Sequence, residues 1–183
     1  MRRIDYASFE EYVIWYLQRD SWKRGRNDPP RIEDIDWCLR EMYMEHSHRV
    51  QPAFALAKWT RVVCDSLEIA CSWLAPPFKW LEEEGLYNGV DRSLGAIADQ
   101  ALAMDFFNSP RIDAPRSSSM YAYYRMLQDE QLRFSGVNRI VLWQDTQANT
   151  IELFDGIGRV LPMVVLAKQG GRMIPIEAYL GEV

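Results

Sequence analysis

Residues 150–162, TIELFDGIGRVLP, bring side chains suited to phosphate chemistry to one joint between two elements. A strand-like run ends at Asp155, and a helix-like run begins just after Gly156. The first turn of a helix has backbone N–H groups without intrahelical partners, and these attract anions. Gly156 and Gly158 allow a sharp turn and close approach to a ligand, and Arg159 adds a planar guanidinium that matches phosphate oxygens.

Carboxylates extend this chemistry to a metal ion and to hydrolysis. Asp155 could hold Mg²⁺ or orient an attacking water, and Glu152 and Glu177 are the other carboxylates considered for this role. Strict alternation along the strand directs Glu152 to the face opposite Asp155, so Asp155 is the preferred metal ligand. The same residues also suit a tight strand-to-helix turn capped by Asp155, with Arg159 in solvent. From the residues alone, both interpretations stay open.

The composition describes a folded chain without the charge of a typical duplex-DNA binder. The chain has 183 residues, is 48% hydrophobic and carries a net charge of −5. This length suits one domain, or one domain with a helical extension. A strongly basic face, which most duplex-DNA binders show, is not indicated by the bulk charge. No apolar run approaches about 18 residues and no signal peptide is recognisable, so we expect a cytoplasmic protein without membrane insertion.

The chain divides at a stretch rich in Pro and Ser, residues 109–119, which we interpret as a connection. The part before it, 1–108, has a mainly helical pattern, and the part after it, 120–183, has a mixed pattern. The predicted fold class is therefore α+β, with a helical N-terminal part followed by a small mixed sheet with helices.

Capping and periodicity define the helices of the first part. Ser8, with Glu11 three residues later, forms a capping box that predicts a helix start. Apolar residues at spacings of three and four predict the strongest helix over 53–74. Two further helices are predicted over 29–45 and 91–107.

The second part follows the order helix, strand, strand, helix, strand. The strands are predicted at RIVLWQ, TIELFD and RMIPIEAYLGE, and the helix between the last two is GRVLPMVVLAK, which ends at Gly170 and Gly171. Pro162 is predicted to lie in the first turn of that helix, where its missing N–H costs little.

Other side chains of chemical interest favour structural roles. The cluster of Tyr121, Tyr123 and Tyr124 could stack on bases, but Tyr121 and Tyr124 share one helix face, which favours packing in the core or at an interface. His46 and His48 could bind a metal, but no third ligand is identifiable, so surface histidines are favoured. The seven tryptophans indicate either a core of large aromatics or an exposed aromatic contact surface.

The order of parts in 120–183 resembles the ParB/sulfiredoxin superfamily. A helix leads to the strand RIVLW, a polar turn leads to a strand that ends in DGIGR, and a helix and glycine lead to the strand with IPI. The D-G-x-x-R box matches at Asp155, Gly156 and Arg159. Ile157 stands where sulfiredoxins have their cysteine, so that reaction lacks its nucleophile. Gly158 stands where the family has a histidine or arginine.

The resemblance implies that the corner binds nucleotide phosphates, with ATP as the nucleotide and Mg²⁺ as the metal. The implied nucleotide-binding residues are Gly156, Gly158 and Arg159, with Arg139 and Asn138 at the start of the first strand joining them. The implied catalytic residues are Asp155 and Arg159, and Asp155 is also the metal ligand.

A ParB-like part behind a helical, Trp-rich part is also similar to the plasmid fertility inhibition factors of the oncogenic-suppression type. That similarity implies a cytosolic protein that blocks DNA transfer through a conjugative or type IV secretion system and has ATPase and DNase activity. The alternative is a catalytically degenerate ParB-like protein that inhibits a transfer component by direct contact. An acidic chain suits a basic partner, which favours this alternative slightly.

Overall fold

The computed structural model describes residues 1–23, 56–87, 89–108, 115–128 and 139–182, in which helices pack on a five-stranded mixed sheet. The strands are β1 (Arg2–Ala7), β2 (Lys58–Cys64), β3 (Ile140–Asp145), β4 (Thr150–Asp155) and β5 (Ile176–Glu182). The helices are α1 (Phe9–Lys23), α2 (Leu67–Ser72), α3 (Lys79–Glu83), α4 (Leu94–Ala103), α5 (Pro115–Gln128) and α6 (Ile157–Lys168). The predicted α+β class is confirmed.

The sheet has the order β1-β2-β5-β3-β4. The β3–β5 pair is parallel, and the other three pairs are antiparallel. Two strands come from before the predicted connection at 109–119 and three from after it. The sheet therefore joins both parts of the chain, with β5 in its centre.

The helix predicted over 53–74 is wrong, because most of this segment is β2 followed by the short α2. Trp59 faces one apolar cluster and Val62 faces the other, so both faces of β2 are buried. The supposed stripe joined apolar residues of β2 and α2 that happen to fall at spacings of three and four, although they belong to different elements. Leu56, a member of the supposed stripe, is 89% exposed. β1 is a second strand in 1–108, where a mainly helical pattern was expected.

Other predicted elements are confirmed. At the start of α1 the Glu11 amide donates to Ser8 Oγ at 3.2 Å, and the Ser8 amide donates to the Glu11 carboxylate at 2.8 Å. The helix predicted over 91–107 is α4, and Ser93 caps it.

Pro162 lies in the second turn of α6, not in the first as predicted. The helix predicted over 29–45 lies outside the described residues, as do His46 and His48.

Two apolar clusters cover the two faces of the sheet. Under α1, the Tyr12 ring stacks on Trp59 with centroids 4.6 Å apart and 8° between the planes. The opposite face packs against α2, α4, α5 and α6. Trp15, Trp59 and Trp73 are buried, which supports the interpretation of these tryptophans as core residues. Within the described part of the chain, no helix combines the length and hydropathy needed to cross a membrane.

We expect Trp59→Ala to lower the free energy of unfolding by about 3–5 kcal/mol, because it removes a buried ring from the cluster under α1. Trp80→Ala, at a half-buried position on α3, is the control and should cost clearly less. Urea unfolding measures both, and equal losses would contradict a fold stabilised by the cluster under α1.

Candidate phosphate-binding corner

The corner lies where β4 ends and α6 begins. Gly156 is the N-cap residue, with φ 110° and ψ 14°, and brings no side chain to the helix start. The amides of Arg159 and Val160 both donate to the Gly156 carbonyl, at 2.9 and 3.0 Å. The amides of Ile157 and Gly158 come before the first intrahelical bond, so helix geometry provides them with no acceptor within α6. This start of a helix has the polarity that attracts an anion.

Gly156 is required by both the backbone and the packing. Its positive φ is a conformation that L side chains rarely adopt. A Cβ at this position would lie 2.5 Å from Ile140 Cγ2 and 3.0 Å from Arg159 Nη2. The turn therefore brings the start of α6 directly against β3.

Gly158 has a packing role between two helices. A Cβ here would lie 3.2 Å from Met120 Cγ on α5. Glycine thus lets α5 approach the first turn of α6, and Met120 occupies the space beside it. Close packing alone accounts for glycine at this position.

Arg159 is not in solvent, contrary to the turn interpretation. Its Nη2 lies 3.3 Å from Asp155 Oδ2, and both side chains are only 14% exposed. A carboxylate and a guanidinium, each suited to one half of a metal–phosphate group, therefore lie together at the helix start.

Tyr123 on α5 is a neighbour of this pair that the sequence interpretation did not include in the site. Burial raises the pKa of its hydroxyl from 10.0 to about 12, and the positive charge of Arg159 partly offsets the rise. Its hydroxyl oxygen is buried without a hydrogen-bond partner among the described residues. The position of Tyr123, between Tyr121 and Tyr124, was the only available signal.

Tyr121 and Tyr124 pack in the core, as their spacing favours. The Tyr121 hydroxyl donates to the carbonyl of Phe106. Tyr124 stacks on Phe107 with centroids 4.5 Å apart, and its hydroxyl lies 3.0 Å from Gln169 Oε1. Neither ring is a platform for a base.

The structure does not bring the Arg139 guanidinium to the corner. Its Nε donates to Glu177 Oε2 at 3.0 Å, and the guanidinium lies 5.6 Å from the centroid of the Tyr179 ring. Tyr179 belongs to the cluster under α1, on the sheet face opposite α6. Arg139 points to this face because it precedes Ile140, which packs toward α6. Asn138 lies outside the described residues.

The carboxylates considered for a metal ion are each held by a different arginine. Glu152 pairs with Arg92 at 3.3 Å, and Glu177 pairs with Arg139. The described residues contain no group of three or more His, Cys, Asp or Glu that could hold a metal ion. Asp155 is likewise paired with an arginine, Arg159, so a Mg²⁺ ion at the corner would have one protein carboxylate and would need substrate phosphates and waters as its other ligands.

Comparisons of the chain with protein-family models, with curated proteins and with solved structures found no match. The ParB/sulfiredoxin resemblance therefore stays a prediction from the motifs themselves.

We expect Gly156→Ala to lower the free energy of unfolding by about 2–4 kcal/mol, because it adds steric crowding to the strain of a positive φ. Gly170→Ala is the matched control, since Gly170 has a φ of +92° with nothing within 4 Å of the added Cβ. Gly170→Ala should lower the free energy of unfolding by about 1–2 kcal/mol, through backbone strain alone. Urea unfolding compares them, and equal losses would show that Ile140 and Arg159 do not crowd the turn.

Tyr123→Phe should flatten the alkaline pH dependence of stability. In the wild type the folded-state pKa is raised to about 12, so the folded state keeps its proton longer than the unfolded state. Stability is then full below pH 10 and falls as the pH rises from about 10 toward 12. We expect the wild type to lose about 1 kcal/mol more than the variant between pH 8 and 11. Urea unfolding measures both proteins. Equal losses of unfolding free energy in the wild type and in Tyr123→Phe would contradict burial of the Tyr123 hydroxyl.

Proposed function

We propose that the protein is a plasmid-type fertility inhibition factor, with the corner as its ATP-binding and hydrolytic site. In this proposal it acts in the cytoplasm and blocks DNA transfer through a conjugative or type IV secretion component. The observation that carries the proposal is the start of α6 at Gly156, where Arg159 and Asp155 lie paired beside backbone amides. Opposite charges at a helix start suit a nucleotide phosphate with its metal ion.

The roles of the residues follow from their chemistry. The amides of Ile157 and Gly158 donate to phosphate oxygens, and Arg159 binds the same anion with its guanidinium. Asp155 holds Mg²⁺, which when bound neutralises charge on the phosphate oxygens. Asp155 and Arg159 neutralise each other before ATP arrives, and a metal–phosphate group offers each a partner of opposite charge. When the nucleotide binds, Asp155 exchanges Arg159 for Mg²⁺, and Arg159 exchanges Asp155 for phosphate. Neither charge is therefore left unpaired in a largely buried place.

DNA cleavage is the second reaction of this proposal. A phosphodiester offers the same anionic oxygens as ATP, so Arg159 and the helix start can bind it in the same way. Asp155 would then orient the water that attacks phosphorus, and the P–O bond to one sugar oxygen would break, which leaves a hydroxyl on one fragment and a phosphate on the other. This role rests on the same two side chains, so one substitution tests both reactions.

A catalytically degenerate binding protein is the second candidate, and the packing of the glycines favours it. Ile140 and Arg159 fill the space beside Gly156, and Met120 fills the space beside Gly158. Packing therefore explains both glycines without a ligand. In this candidate the corner is a structural turn, and the protein inhibits a DNA-transfer partner by direct contact.

We expect Arg159→Ala to reduce Mg²⁺-dependent phosphate release from ATP by about 100-fold, the typical cost of removing one donor to a transition-state oxyanion. Arg92→Ala is the matched control, because Arg92 also pairs with a β4 carboxylate at 3.3 Å but away from the corner. It should keep wild-type turnover.

Three results would decide between the candidates. Absent turnover, or equal turnover in the wild type and in Arg159→Ala, would contradict a hydrolytic corner. A mating assay with the same variants then measures inhibition of DNA transfer. Full inhibition by Arg159→Ala would favour the binding protein, whereas inhibition lost together with turnover would favour the enzyme.

A further inference from the structure

The two edges of the sheet differ in their exposure. At the β4 edge, the Leu74 amide donates to the Ile151 carbonyl at 2.9 Å, and the Leu153 amide donates to the Leu74 carbonyl at 2.8 Å. A neighbouring segment thus covers this edge. At the other edge, β1 has β2 as its only strand partner within the described sheet.

The side chains along β1 and the start of β2 form an exposed basic and aromatic surface, here called the edge patch. The edge patch consists of Arg2, Arg3, Ile4, Tyr6 and Lys58. Tyr6 is 72% exposed and Ile4 is 52% exposed, so both side chains are accessible at this edge. The Lys58 ammonium lies 5.2 Å from the centroid of the Tyr6 ring. An aromatic ring and a cation are therefore presented together.

The charge of the edge patch is opposite to that of the whole chain. Three of its five residues are cationic, whereas the chain carries a net charge of −5. Glu182 pairs with Arg3 at 2.5 Å and offsets one of the three positive charges. The neighbouring Asp5 is paired with Arg61, so it leaves the positive charge of Arg2 and Lys58 in place. The surface suits a polyanion.

We propose that the edge patch binds single-stranded DNA, with a base stacked on Tyr6, the adjacent phosphate bound by Lys58 and a further phosphate bound by Arg2 at the start of β1. A cation beside an exposed aromatic ring is the combination used to bind single strands, because every unstacked base offers a π-face and every nucleotide a negative charge. The bases of a duplex are already stacked, so Tyr6 selects the single strand. The choice of DNA over RNA rests on the proposed function.

A protein strand is a poorer occupant of this edge. The register between β1 and β2 shifts between Arg3 and Asp5, which is a bulge or irregularity in the outer strand. Bulges and charged side chains on edge strands are the features with which proteins prevent the addition of a further strand. A nucleotide chain needs the side chains of the edge patch, not a regular ladder of backbone groups.

The edge patch is separate from the corner. β1 and β4 are the opposite outer strands of the sheet, four strand spacings or roughly 19 Å apart. Binding at the edge patch therefore requires neither ATP nor the Asp155–Arg159 pair, and the two sites can be tested independently.

The test is fluorescence anisotropy without nucleotide, using an oligo-dT of about 12 residues and an abasic strand of equal length. We expect the wild type to bind oligo-dT about tenfold more tightly than the abasic strand. Tyr6→Ala should bind the two strands equally, whereas Tyr6→Phe should keep the preference because it keeps the ring. Tyr6 is exposed, so neither variant should disturb the fold, and far-UV circular dichroism checks this.

Charge is tested with a matched pair of variants. Lys58→Glu should weaken oligo-dT binding about tenfold and reduce its salt dependence. Lys79→Glu makes the same charge change on α3, at a side chain that is 86% exposed, and should bind as the wild type does.

Four outcomes would overturn the edge patch: no binding of oligo-dT, no preference over the abasic strand, a preference that survives Tyr6→Ala, or equal losses in Lys58→Glu and Lys79→Glu. Arg159→Ala separates this inference from the proposed function, because it should lose ATP turnover and keep the Tyr6-dependent preference for oligo-dT over the abasic strand. Tyr6-dependent binding in a protein without ATP turnover would support the edge patch and contradict the hydrolytic corner.

Discussion

The fold depends on the position of β5 between β2 and β3. Every residue of β5, from Ile176 to Glu182, pairs with β2, and five of them also pair with β3 in parallel. The last strand of the described chain therefore closes the sheet and joins strands from its two parts. Glycine at position 181 lets β5 lie close to the Trp143 ring, because a Cβ there would be only 2.8 Å from that ring. The aromatic cluster under α1 and the helical layer on the other face both pack on this central strand.

The elements that could be predicted are those that a few neighbouring residues specify. The capping box of Ser8 and Glu11, and the order of β3, β4, α6 and β5, could be predicted because caps, turns and periodicity are local properties. The strand β2 could not, because its two buried faces become visible only once β5 and α1 are placed against it. For the same reason, the sequence could not show that strands from both parts share one sheet.

The candidate site shows the same contrast between features that local sequence specifies and features that depend on tertiary packing. The sharp turn at Gly156 could be predicted from the Asp-Gly pair, and because Asp155 ends β4 just before this turn, it lies close to Arg159 in the first turn of α6. The direction of Arg139 could not be predicted, because it depends on Ile140 packing toward α6, which turns the preceding side chain to the other face of the sheet. Strict alternation was also an unsafe guide to Asp155, since the register between β3 and β4 shifts beside it. Tyr123 was missed because its approach to Arg159 depends on how α5 packs on α6.

The tight packing of the corner is compatible with the proposed binding, because Ile140 and Met120 pack against the glycines without taking part in it, and only Arg159 has both roles. Ile140 and Met120 fix the glycines, and so fix the direction of the first turn of α6 and of its amides. Arg159 and Asp155 are held by each other at 3.3 Å, in a place where either charge alone would be costly. A ligand that carries both signs, as a metal-bound phosphate does, can replace that contact on both sides at once. In the proposed function, phosphate accompanied by a cation therefore suits this pair of opposite charges.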